Sequence, residues 1–168
     1  GYTLVATGVW PIDKVSDRNA DFHPHGIEWV KEMVAEFAPD TNTVVTTGGR
    51  KIAYDFLIVA TGVHLDYAQI EGMDLKAIGS NGLGSVYPNA EAALATWNAM
   101  DTFRAKGGAA VMTLPATPLK CAGAPLKMTF MLRDRLHQAG TLKDSRVTFH
   151  SALGNVFAAT GVGEAVAQ

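Results

Sequence analysis

The strongest constraint on the fold lies in the second half of the chain. An apolar run, "AAVMTL" (109–114), is followed by "APLKMTFMLRDRLHQAG" (124–140) and then by "SRVTFHSA" (145–152). The outer runs are short and read as strands. The middle run repeats its apolar residues at helical spacing and closes on Gly140, which reads as a helix ended by glycine. A strand, a crossover helix and a second strand bring the chain back to the same side of one sheet, so the two strands run parallel. The fold class is therefore α/β.

The remainder is organised around that unit. "NAEAALATWNAMDTFRAKGG" (89–108) reads as a helix capped by Asn89, with Leu94, Trp97, Met100 and Phe103 on one face. Residues 2–6 alternate weakly and are expected to form a strand, and residues 11–25 an irregular loop. In "IEWVKEMVAEFAP" the residues Ile27, Val30, Met33, Val34 and Phe37 follow a helical period that Pro39 closes. A strand within "EMVAEFA" is the alternative for its second half. "NTVVTTGGRKIAYDFLIVATG" (42–62) reads as a β-hairpin turning at Gly48-Gly49 and running into a third strand, with Leu57 to Ala60 as a fully apolar core strand. A loop rich in Gly and Asp covers about 62–88.

Composition removes several functions. With 168 residues, 48% hydrophobic and 18% charged, the chain is globular, and its net charge of −2 leaves no electrostatic footprint for nucleic acid. No apolar run is long enough to span a bilayer. The start, "GYTLVATGVW", lacks an initiator Met, a basic leader and a cleavage site, and the tail, "GVGEAVAQ", lacks a helix-ending signal. These ends are expected of a piece of a longer protein. One cysteine excludes an internal disulfide and a thiol-based zinc site.

That cysteine, Cys121, sits in "TPLKCAGAPLK" (117–127), the loop between the first strand of the parallel unit and its helix. A dinucleotide-binding loop at this point would carry G-x-G-x-x-G, and here there are prolines and a thiol instead. The residues alone leave two readings of Cys121 open. One is a small hydrophobe serving structure. The other is a reactive thiol, favoured by its loop position, by Lys120 and Lys127, and by the positive end of a helix starting near Ala124 or Pro125. His23 and His25 flank Pro24 without a third ligand, so no metal site is assigned. Ser80 and Ser85 have no base partner in view. "YDFLIVATG" (54–62) ends a strand in small residues, where ligands of open α/β sheets approach the main chain.

Together these motifs resemble a known family. "YDFLIVATG" is similar to the Ala-Thr-Gly motif of the two-dinucleotide-binding-domain flavoproteins, the pyridine nucleotide–disulfide oxidoreductase superfamily. "TPLKCAGAPLK", "IEWVKEMVAEFAPDTNTV", "VHLDYAQIEGM" and "SVYPNAEAALATW" resemble its sulfide:quinone oxidoreductase branch, from Tyr2 to about Phe157. The resemblance implies a Rossmann-like parallel sheet unit joined to a β-hairpin or three-stranded β segment. Residues 1–65 would be part of an FAD-binding domain and 66–168 part of a second, NAD-domain-like unit that carries the redox cysteine. It implies two redox cysteines holding a sulfur between them, with Cys121 as the first. FAD would be contacted by Ala60, Thr61 and Gly62, with Val34 as a main-chain contact near the adenine. Sulfide and a quinone would be the partners, at the bacterial or mitochondrial inner membrane.

The sequence departs from that pattern in what it lacks. It has no G-x-G-x-x-G, no second cysteine and no membrane-contacting helix, and it carries "LPATP" where NAD-binding relatives place glycines. The chain by itself is thus expected to be inactive, to bind neither FAD nor NAD tightly, and to self-associate through strand faces left uncovered. Flavocytochrome c sulfide dehydrogenase, an NAD(P)H-dependent flavoprotein, and an independent α/β binding module with a structural cysteine remain the alternatives.

Overall fold

A computed structural model of the chain describes residues 1–116, 121 and 123–154. Contacts divide it into two units, one of residues 17–63 and one of residues 1–16 together with 64 onward.

The larger unit holds the main core. Helix α1 is a single turn, Tyr2–Val5, in place of the expected strand at 2–6. The reason is packing at helical spacing: Val5 and Ala6 are buried with Ala93, Met100, Leu132 and Leu136, and Tyr2 lies against the same cluster. The turn is locked by Thr7, whose hydroxyl donates to Thr3 O at 2.8 Å and whose carbonyl accepts from Arg135 Nε at 2.7 Å. Helix α2, Ala90–Lys106, starts where the sequence places its cap, with Asn89 Oδ1 accepting from Ala92 N at 2.7 Å. Of its expected apolar face, Met100 is buried, and Leu94, Trp97 and Phe103 pack against the core.

The chain reverses at Gly107 into strand β1, Gly108–Leu114; helix α3, Ala124–Gln138, follows, and then strand β2, Ser145–Ser151. The two strands pair in parallel from Gly108↔Ser145 to Leu114↔Ser151. Ala110, Met112 and Val147 on one sheet face meet Met128, Leu132 and Leu136 of α3. The parallel unit read from the sequence is therefore present.

Residues 17–63 form a three-stranded antiparallel sheet of β3 (Val34–Ala38), β4 (Thr43–Thr46) and β5 (Lys51–Ala53), in the order β3-β4-β5. The hairpin turns at Gly48-Gly49, with Thr46 N donating to Arg50 O and Gly49 N to Thr46 O, both at 2.9 Å. Glu32 braces it, its carboxylate accepting from Thr46 Oγ1 and from Gly48 N.

Two expectations fail here. Residues 27–38 form no helix; the strand alternative holds, because β3 pairs with β4 through Val34↔Thr46 and Phe37↔Val44. The helical stripe has nothing to bury itself against, since four of the five β3 residues stay exposed. Leu57 to Ala60 form no strand either. Phe56 is 94% exposed and Ile58 88%, and among the described residues this segment pairs with no strand. A strand apolar on both faces needs a sheet covered on both sides, and the small antiparallel sheet offers neither.

Leu136 is 0% exposed at the centre of the larger core. Leu136→Ala is expected to cost about 3 kcal/mol, read as a lower urea midpoint at unchanged slope. A loss below about 1 kcal/mol would place the core elsewhere.

Candidate functional site

The direction of the elements decides what meets what. In a parallel pair, the connecting helix runs back against the strands, so α3 begins at the carboxyl edge of β1 and β2. With only Gly107 between α2 and β1, the C-terminal end of α2 lies at the opposite, amino edge of the strands. Loops at the carboxyl edge are where open α/β sheets bind ligands.

Cys121 stands in the loop that leaves the carboxyl edge after Leu114, and it is exposed. Its carbonyl accepts from Ala124 N at 3.1 Å, a turn that leads directly into α3. Gly123 caps the helix without a side-chain bond, and Pro125 lies in its first turn, where a missing N–H costs nothing. The thiol thus precedes a helix start by three residues, as the sequence anticipates. Lys127 follows one turn later and is exposed. Lys120 lies outside the described residues.

Sequence reasoning does not single out Tyr87, which packs beside Tyr2. Burial pushes the phenol's pKa up from 10.0, and negative charge on Cys121 pushes it further the same way. Tyr87 is held by the segment before α2. Ser85 Oγ lies 2.7 Å from the Tyr67 hydroxyl, Ser85 N donates to Thr96 Oγ1 at 3.0 Å, and Thr96 Oγ1 lies 3.1 Å from Ser85 O. Close approach to α2 needs Gly84, where an added Cβ would sit 2.8 Å from the Thr96 methyl. The Tyr87 ring also meets Tyr2, with centroids 6.4 Å apart. The signal available in sequence was an aromatic directly before the Pro-Asn entry to a capped helix. Its meaning depends on helix direction, which sequence shows only indirectly. Ser85, without a base partner in sequence, is a structural clamp.

The other expected site residues lie in the unit of residues 17–63. Ala60, Thr61 and Gly62 are exposed. Gly62 has φ +76° and no atom within 4 Å of where a Cβ would stand, so a large group can approach this main chain. This open, small-residue turn fits a phosphate-bearing or planar cofactor. Val34 sits on β3 opposite Thr46 and is 42% exposed.

Among the described residues no group of three or more His, Cys, Asp or Glu is placed to hold a metal. His23 instead stacks on Trp29, centroids 5.9 Å apart, and Lys31 lies 4.7 Å over the same indole. No helix among the described residues is long and apolar enough to cross a membrane.

No family model matches the chain. Curated relatives do. It is 34% identical over 156 residues to the mitochondrial sulfide:quinone oxidoreductase of Mus musculus, covering 93% of this chain and 34% of the mouse protein. It is 31% identical over 124 residues to the sulfide-quinone reductase of Aquifex aeolicus, covering 73% of this chain and 26% of that protein. The X-ray structure of the sulfide:quinone oxidoreductase from the same bacterium superposes with a TM-score of 0.62 at 26% identity, over 89% of this chain and 33% of that one. The chain spans about a third of the length of the curated relatives it matches. Over most of its length it is homologous to the sulfide:quinone oxidoreductases, as the motifs indicate.

The Ser85 clamp depends on one hydroxyl. Thr96 is buried, and Thr96→Val keeps the shape while leaving Ser85 N–H without its acceptor. The expected cost is about 1–3 kcal/mol, largely recovered in Thr96→Ser, measured by urea unfolding. Equal stability of the valine variant would show that the clamp is incidental.

Proposed function

We propose that the chain is part of an FAD-dependent sulfide:quinone oxidoreductase in which Cys121 is one of two redox thiols. The observation that supports this most is the placement of the sole cysteine, exposed on the loop after β1 and directly before α3, where dinucleotide-binding relatives carry glycines. The curated relatives of that name, which align along most of the chain, support it independently.

In this reading residues 1–65 are part of the FAD-binding domain, and 66–168 part of a second, Rossmann-like domain. The backbone of Ala60-Thr61-Gly62, and that of Val34 near the adenine, would hold part of the cofactor. FAD, when bound, supplies the two-electron acceptor between the cysteine pair and a quinone.

The role of Cys121 follows from thiol exchange. A sulfur bridge joins Cys121 to a second cysteine outside this chain. Hydrosulfide attacks the bridging sulfur, and its lone pair forms the new S–S bond. The bond to Cys121 breaks, and its electron pair stays on Cys121 Sγ as a thiolate. The site must therefore tolerate a negative sulfur, and the N-terminal end of α3, a 15-residue helix, offers partial positive charge to it. The quinone places the complete enzyme at an energy-transducing membrane, with contact made by segments other than these.

In the complete polypeptide, Cys121→Ser is expected to retain flavin absorbance and lose roughly a thousandfold or more of sulfide-driven quinone reduction. Turnover within a few-fold of the unmodified enzyme would make the cysteine structural and end this reading. The chain of 168 residues by itself is expected to bind neither FAD nor NAD tightly, and a micromolar site in calorimetric titration would contradict that. Its uncovered segment at Phe56, Ile58 and Val59 is expected to drive concentration-dependent association, which light scattering reads directly. A monomer at all concentrations would show that this segment is satisfied within the chain.

A further inference from the structure

Residues 79–84 arch over α2, and glycine sets both feet of the arch. An added Cβ at Gly79 would stand 2.8 Å from Ala95 Cβ, and one at Gly84 2.8 Å from the Thr96 methyl. Both ends therefore lie directly on the helix. The crest does not, for Gly82 has no atom within 4 Å of where a Cβ would stand. Gly79 N donates to Leu83 O and Leu83 N to Ser80 O, both at 2.9 Å, which closes the arch. Asn81 and Gly82 take φ +51° and +77° to make this turn. Between the crest and the C-terminal half of α2 lies an open cleft of about 490 Å³. Ala99 and Phe103 give it an apolar floor, and Asn98 and Lys106 stand along its helical side.

Four donors border the cleft with nothing to donate to. The N–H groups of Asn81 and Gly82, the Asn98 amide and the Lys106 ammonium make no hydrogen bond or ion pair among the described residues. No acidic residue lines the cleft. We propose that it binds a small organic monocarboxylate, the carboxylate between Lys106 and the Asn81–Gly82 turn and the apolar body on Ala99 and Phe103. One ammonium beside neutral donors matches one negative charge. A phosphate dianion suits the cleft less. It meets no guanidinium fork, and α2 ends at Lys106, where the last carbonyls carry partial negative charge. The volume is that of a small-molecule site, and an apolar floor with a few polar groups is the usual make-up of one. The cleft follows the half of α2 that ends at the amino edge of the parallel strands, away from the Cys121 loop. It does not rest on the redox reading.

Benzoate is the probe, titrated into the chain while amide chemical shifts are followed by NMR. Saturable shifts are expected at Asn81, Gly82 and the amides from Asn98 to Lys106, with a dissociation constant on the order of 1 mM. In Lys106→Gln the affinity is expected to fall roughly tenfold. Asn98→Asp keeps the size of an exposed helical side chain and sets a like charge beside the ligand, so it is expected to weaken binding at least as much. Neutral benzamide and inorganic phosphate are each expected to bind at least about tenfold more weakly than benzoate. No saturation below roughly 50 mM, or shifts spread over the chain without a focus, overturns the proposal. So does an unchanged affinity in folded Lys106→Gln. Equal binding of benzamide would show that the charge is not read, and equal binding of phosphate that the apolar floor is not used; either rejects the site as described. None of these readouts involves Cys121, so failure here leaves the redox reading untouched, and failure of that reading leaves the cleft.

Discussion

The parallel pairing of β1 with β2 is the constraint on which the larger unit depends. Seven residue pairs in register, Gly108↔Ser145 to Leu114↔Ser151, force the intervening chain to cross back along the sheet. The crossover is α3, and its buried side holds Met128, Leu132 and Leu136 against Ala110, Met112 and Val147. Once α3 is fixed, α2 and the single turn of α1 fill the rest of the same core. The loop bearing Cys121 has its starting point and its landing point set by this one arrangement.

Residues 17–63 obey a different rule. Their sheet is held by backbone pairing and by local braces such as Glu32 on the hairpin and the Arg50–Glu28 ion pair at 2.7 Å. Exposed ion pairs of that kind contribute little. Val44 and Thr46 are the residues of this sheet that reach full burial. Apolar side chains are abundant there, yet most remain at the surface. In composition this segment is a core; in packing it is not one.

That contrast explains what was legible in the sequence. The second half was readable because its signals are local: Asn89 caps a helix, Gly140 ends one, and a helical period of more than three turns admits one interpretation. Much of the first half, the Gly48-Gly49 hairpin apart, was not, because its signals are settled by partners. The pattern from Ile27 to Phe37 satisfies a helix on paper, but Thr43 to Thr46 present a free edge, and pairing with it wins for Val34–Ala38. The run from Leu57 to Ala60 is a strand in composition without a sheet to join. Cys121 was singled out as a candidate from its loop and its rarity. The Ser85–Thr96 contact was not foreseen, since its partners lie eleven residues apart and no local pattern announces it.

The glycine at position 84 carries a consequence of its own. Nothing about its backbone demands glycine; what demands it is the methyl group of Thr96, 2.8 Å from where a first side-chain carbon would lie. Beyond it the chain runs through Ser85 to Tyr87 with no further slack before the cap at Asn89. Lifting that segment from α2 would part Ser85 N from the Thr96 hydroxyl that accepts its hydrogen bond at 3.0 Å. The spacing between this segment and α2 is thus gauged by the thickness of a single absent carbon.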